Sequence, residues 1–142
     1  MTFTSPEGRF SVAFPGQPDH HSLPRTIAGA DVTTEAFEWA PGDAAVSFAV
    51  GYGDYPAESL SKLSPETIFA NIERGMTTSG WTILASRDVS GRDPGHEFTI
   101  AHGGEQSTFR AWIVGDREYE VGVTGESPHA EAFMDSFRIV AE

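Results

Sequence analysis

The hydrophobic period of this chain switches between two values, and that switching limits the fold more than any other feature. In "RFSVAFPG" the apolar Phe10, Val12 and Phe14 alternate with Arg9, Ser11 and Ala13. A spacing of two sends alternate side chains to opposite faces of an extended strand. Pro15-Gly16 ends that strand. "ADVTTEAFEW" is rich in β-branched and aromatic residues and reads as a second strand, stopped by Pro41-Gly42. "QPDHHSLPR", between the two, reads as a loop. "AAVSFAVGY" is a third strand, with Val46, Phe48, Val50 and Tyr52 on one face. Its other face carries Ala45, Ser47, Ala49 and Gly51, small enough for a helix to lie close against them.

The period then lengthens. After the connector "GDYPAESLSKL", the segment "SPETIFANIERGMTTSG" opens with Ser64 as N-cap, Pro65 at the first helical position and Glu66 in the first turn. Ile68, Ile72 and Met76 recur every four residues, Phe69 widens the stripe, and Gly80 is the stop. Four strands follow: "WTILASRDVS", "HEFTIAH", "STFRAWIVG" and "REYEVGVTG". The turns between them, at Pro94-Gly95, Gly103-Gly104 and Gly115-Asp116, are too short for parallel crossovers, so neighbours pair antiparallel. "PHAEAFMDSFRIVAE" returns to helical spacing through Ala130, Phe133, Met134 and Phe137. Strand runs punctuated by isolated helices mean α+β. The expectation is a single, mostly antiparallel sheet of about six to seven strands with two amphipathic helices packed on it. All 142 residues fit one domain, residues 1–142.

The search for chemistry returns little. "GRDPGHEFTIAHGG" crowds Asp93, His96, Glu97 and His102 into a short stretch. In a strand, however, His96, Phe98, Ile100 and His102 share one face while Glu97, Thr99 and Ala101 take the other. The two histidines are then about 20 Å apart at ~3.3 Å per residue, too far to share a metal whose bonds are about 2 Å long. The stretch is a decorated hairpin. Asp19-His20-His21 lacks a third ligand at defined spacing and is read as solvated loop. His129 serves as a cap or a surface residue. The chain has no cysteine, which removes disulfides, thiolate nucleophiles and zinc–thiolate sites. There is no G-x-S-x-G elbow, no G-x-G-x-x-G and no P-loop. No catalytic, cofactor or metal residue is assigned.

Charge and hydropathy bound the partners. The formal charge is −12, with basic residues scattered singly as at Arg9, Arg25 and Arg74. A phosphate backbone or anionic membrane surface has nothing to bind, so no nucleic acid is expected. No apolar run approaches the ~20 residues of a membrane span, so no membrane insertion is expected. "MTFTSPEGRF" has neither the basic start nor the apolar stretch of a signal peptide. The chain as it stands reads as cytoplasmic, or extracytoplasmic if a signal segment has been removed, and as a monomer or weak homodimer. Phe10, Phe14, Phe48, Phe69, Phe98, Phe133 and Phe137 occupy core-type positions. Trp39, Tyr52, Tyr55 and Trp112, at strand ends and rims, are the aromatics chosen as a partner-binding surface.

Three local patterns together resemble one superfamily. "GRFSVAFPGQP" is similar to an opening F-S-V-x-F-P-G-x-P hairpin, "GRDPGHEF" to a central G-x-P-G-x-E-F turn and strand, and "AEAFMDSFRI" to a closing helix ending in F-x-x-S-F. These are features of the PsbP-like superfamily. It includes extrinsic photosystem II subunits, a Ran-binding nuclear import factor, and bacterial lipoproteins and secretion chaperones. The resemblance spans nearly the whole chain. It implies an α/β/α sandwich and a protein that binds partners without a shared catalytic motif. Binding faces differ among members, so no functional residue carries over. The expected function is a non-enzymatic binding or accessory domain for a protein or peptide partner, without cofactor. The alternative is a small apolar ligand or lipid held between sheet and helix. A hydrolase using dispersed carboxylates would need two acids converging in a cleft with displaced pKa values.

Overall fold

A computed structural model describes residues 2–27, 30–42 and 46–140. The chain runs through β1 (Thr2–Ser5), β2 (Phe10–Ala13), β3 (Asp19–Ile27), β4 (Ala30–Trp39), β5 (Ser47–Asp54) and α1 (Pro65–Thr78). It continues through β6 (Thr82–Val89), β7 (Gly95–His102), β8 (Glu105–Val114), β9 (Arg117–Thr124), α2 (Ala130–Asp135) and β10 (Arg138–Ile139). Seven strands pair antiparallel throughout, in the order β3-β4-β5-β9-β8-β7-β6. The α+β class and the antiparallel sheet follow the periodicity.

The structure adds a second sheet, ordered β1-β2-β10, which lies across one face of the first. The "RFSVAFPG" strand is its centre, pairing with β1 through Phe3↔Val12 and with β10 through Ile139↔Phe10. Segment 17–25, read as loop, is instead mostly strand β3, paired with β4 along its length. Pro24 is tolerated because β3 is an edge strand, where a missing N–H costs no ladder bond on the solvent side. The closing helix is shorter than its periodicity implies. It stops at Asp135, and the chain turns so that Phe137 enters the core and β10 joins the small sheet.

Helix α1 begins as its caps dictate. Ser64 Oγ accepts from the Thr67 amide at 3.2 Å, and Pro65 sits inside the first turn. Gly80, at φ +98°, takes the left-handed conformation just past the end. Topology fixes where this helix lies. The chain leaves β5 in mid-sheet and must reach β6 at the far edge, crossing β9, β8 and β7. Four strand spacings are about 19 Å. Fourteen helical residues span about 21 Å. The helix therefore covers the β6–β8 half of that face. It buries Ile68 and Phe69 against Phe98, Ile100, Ala111 and Ile113. The opposite face is covered more completely. There Phe10, Val12 and Phe14 of the small sheet, with Phe133, Met134 and Phe137, pack on Phe48, Val50, Tyr119, Val121 and Val123.

Candidate functional site

On the β3–β4–β5–β9 half of the α1 face, beyond the helix, lies a concavity. Register shows how it arises. On the sandwiched face, one row reads Phe37, Val50, Val121 across β4, β5 and β9, and the next reads Trp39, Phe48, Val123. On the α1 face the corresponding rows read Ala36, Gly51, Glu120 and then Glu38, Ala49, Gly122, with Phe109 of β8 following Gly122. A third row reads Thr34, Gly53, Glu118. Every strand thus carries bulk on one side and almost none on the other. The result is a groove of about 370 Å³ with a floor of small residues. Leu23 of β3 walls one end, and Ile72 of α1 with Phe109 walls the other. At Gly122 an added Cβ would sit 2.7 Å from Phe109 Cβ, so glycine is what lets Phe109 approach the floor.

The expected helix bed is this floor, and α1 does not lie on it. Ser47, Ala49 and Gly51 line the open groove, with only Ile72 of the helix reaching its edge. Ala45 lies outside the described residues. The four chosen aromatics do not form one surface. Trp39 and Trp112 lie on the sandwiched face, each covering a glycine. An added Cβ at Gly16 would collide with Trp39 Nε1, and one at Gly95 would meet Trp112 Nε1 at 2.6 Å. The glycines of "FPG" and "DPG" are thus seats for indoles. Tyr52 is buried at 7% exposure, its ring among Phe10 and Tyr119. Tyr55 alone packs on the α1 side, half-buried at the groove. Sequence reading missed Leu23, Ala36, Glu38, Glu118, Glu120 and Gly122. Their signal is the off-face alternation of "TTEAFE" and "REYEVGVT", legible once the apolar face of each strand is assigned.

The charged groups elsewhere are engaged in holding the fold. Arg117 makes a bidentate pair with Asp54 at 2.6 and 2.8 Å, and its guanidinium lies 4.6 Å from the Tyr52 ring centre. Those hydrogen bonds hold the Asp54 carboxyl below its ordinary range, against the opposing effect of burial. Arg110, nearly buried, donates to Glu97 and to Asp135, each at 2.7 Å. Burial works against ionisation of Glu97, but hydrogen bonds from Arg110 and Arg87 outweigh it and keep its pKa below 4.5. Asp116 accepts from the amides of Glu58, Leu60 and Ser61, tying the β5–α1 connector to the β8–β9 turn. Backbone hydrogen bonds lower its pKa, with those from Ser61 and Glu58 foremost.

The histidines sit as alternation dictates. His96 bonds Asp88 at 2.9 Å and stacks on Phe69, whereas Glu97 points through the other face to Arg110. His20, expected in solvated loop, stacks on Phe37 with ring centres 4.5 Å apart and bonds Glu35 at 2.8 Å. The hydrogen bonds from Ser22 and His20 lower the Glu35 pKa. A second concavity, beside β10, contains Arg92, Arg110 and Arg138. Each of them is already bonded: to Asp93, to Glu97 and Asp135, and to the Asp135 and Phe137 carbonyls. It makes no demand for an anion.

A seven-stranded antiparallel sheet, crossed on one face by α1 and covered on the other by a small sheet together with α2, has a PsbP-like fold. The solution structure of cyanobacterial PsbP (CyanoP) from Synechocystis superimposes with a TM-score of 0.63 at 9% identity, covering 98% of this chain and 91% of that one. No family model and no curated protein matches the chain.

Proposed function

We propose that this chain is a non-enzymatic binding domain that holds a segment of a protein partner on the open half of its α1 face. The observation that carries this is the groove floor. Glycine in a strand interior costs about 0.5–1 kcal/mol relative to alanine, yet Gly51, Gly53 and Gly122 share one patch of central strand. On an ordinary wet face, threonine, lysine or glutamate would strengthen the sheet at no cost to solubility. Small residues there give up strand stability for accessible backbone and space. A PsbP-like fold accords with an accessory or binding role.

The carboxylates whose ionisation is displaced, Glu35, Asp54, Glu97 and Asp116, are all shifted down. That direction suits permanent ion pairing rather than general-acid work at neutral pH. An apolar ligand or lipid fits the groove poorly, because Glu38, Glu118 and Glu120 line it and desolvating a carboxylate against an acyl chain is strongly unfavourable.

The test is a displayed-peptide selection against the whole chain, counter-screened on Ala49→Trp, which fills the floor. The reading expects enriched sequences that bind the parent protein and lose the variant. Enrichment of nothing, or of sequences that bind both proteins equally, would sink it.

A further inference from the structure

We propose that the connector from β5 to α1 is a strap that opens as a unit while the seven-stranded sheet stays paired, and that the Asp116 carboxylate is the latch holding it shut. The device is independent of the groove. Asp116 sits on the two-residue turn between β8 and β9, where Val114 pairs with Arg117. That turn is a firm support, with Gly115 at φ +64° supplying the left-handed residue a tight hairpin needs. From it the carboxylate reaches three connector amides. Oδ2 accepts from Glu58 at 2.7 Å, and Oδ1 accepts from Leu60 and from Ser61 at 3.0 Å each. Bonds to a charged acceptor are roughly twice as strong as neutral ones.

The connector is bent to meet that carboxylate. Glu58 takes φ +68°, a left-handed conformation that a residue with a side chain rarely adopts. Such a conformation persists where its surroundings over-determine it. Here the amides of Glu58, Leu60 and Ser61 converge on one anion. Loss of the carboxylate frees Glu58 to return to the right-handed or extended regions, and the strap loses its shape with it.

The strap has a light anchor in the core. From Pro56 to Leu63 only Leu60 is buried. It joins the apolar cluster beneath α1, which includes Phe98 and Ile113. The Ser59 amide donates to the Pro56 carbonyl, that of Lys62 to Glu58 and that of Leu63 to Leu60. Those bonds lie within the strap and travel with it, as does the Lys62–Glu58 ion pair. Both ends are fixed, because the Tyr55 amide donates to the Asp116 carbonyl at 2.8 Å and Ser64 caps α1. A segment with few buried contacts, running between fixed ends, is the kind that opens locally. Opening lifts Leu60 away and uncovers one end of the α1 cluster without breaking a strand pair.

The experiment is amide hydrogen exchange on the whole chain, resolved residue by residue by NMR, with low urea added in steps. In the parent protein the Glu58, Leu60 and Ser61 amides should share one protection. It should lie about a hundredfold or more below that of the Val50 and Val121 amides in the central strands, and low urea should leave it unchanged. Asp116→Asn removes the charge and one acceptor oxygen, and should lower the protection of all three together by about tenfold or more. Leu60→Ala removes the buried anchor and should also lower all three together. If the three amides are protected as well as Val50 and Val121, with the same urea dependence, the connector opens only when the sheet unfolds and the proposal fails. It fails equally if the three differ widely in the parent, or if Asp116→Asn exposes one or two of them or none. The parent measurement alone can overturn the strap, whether or not either variant folds.

Discussion

The two faces of the seven-stranded sheet are built from the same strands and could hardly differ more. β5 presents Phe48, Val50 and Tyr52 to the small sheet, and Ala49, Gly51 and Gly53 to the groove. β9 presents Tyr119, Val121 and Val123 on the first side, and Glu118, Glu120 and Gly122 on the second. What sets the composition is the cover. The sandwiched face is closed by rings packed on rings, such as Phe10 within 5.6–6.4 Å of Phe37, Tyr52, Tyr119 and Phe137. The α1 face is closed only as far as one helix can reach in crossing from β5 to β6. Stability is therefore concentrated on one side, and half of the other is left without a helix over it.

The strongest way to break this contrast is to truncate one ring on each side. Phe10 is fully buried, and its small sheet is held by pairing to β1 and β10 and cannot slide into the space. Phe10→Ala should cost about 4 kcal/mol. Phe69 projects from a helix that can settle toward the sheet, so Phe69→Ala should cost less, about 2–3 kcal/mol. Urea midpoints of the two variants decide. A larger loss at Phe69 would mean that the α1 side carries the fold.

A smaller effect separates the faces by charge. Glu97 points to the sandwiched side and is held ionised by Arg110 and Arg87, with its folded pKa below the ordinary 4.5. A depressed carboxylate contributes stability that is fully present above the unfolded pKa and disappears as pH falls through the folded one. Glu97→Gln should thus cost about 2 kcal/mol at neutral pH, where it leaves buried Arg110 one partner short. The gap from the parent should close progressively below about pH 4.5. Unfolding free energies measured from pH 7 to 3 test this. A constant gap would place the loss in packing rather than in the ion pair. The groove glutamate variant Glu120→Gln should show no comparable gap at any pH, since no arginine lines the groove among the described residues.

Much of this was legible in the text. Alternation placed Phe10, Val12 and Phe14 on one face, put Glu97 opposite His96, and located α1 to its N-cap, because each is a local consequence of period and capping. β3 was not legible. His20, His21 and Pro24 are poor strand formers in isolation, and only edge pairing to β4 makes them extended. Nor was the small sheet, since β1 and β10 are short and come from opposite ends of the chain. The groove was half legible. "AAVSFAVGY" announces a small-residue face, but whether a helix lies on that face depends on which edge β6 occupies. No local pattern encodes that. The tryptophans misdirected for a related reason: their apolar bulk is visible in sequence, while the glycines they cover at Gly16 and Gly95 are distant or on a neighbouring strand.

The smallest expected effect sharpens the comparison most. Ala49 and Val50 are consecutive residues of one central strand, and they face opposite ways. Val50 is 1% exposed and encircled by the sandwiched core. Val50→Trp forces a large ring into a filled space and should cost about 3 kcal/mol or more. Ala49→Trp puts the same ring on the groove floor, beside Gly122 and in front of nothing that must move. Its stability should stay within about 0.5 kcal/mol of the parent, the range of ordinary surface substitutions. The pair isolates cover as the variable, because strand, residue type and sequence neighbourhood are shared. If Ala49→Trp costs more than about 1 kcal/mol in urea unfolding, the floor is already packed against something. The open half-face would then no longer be the molecule's free surface.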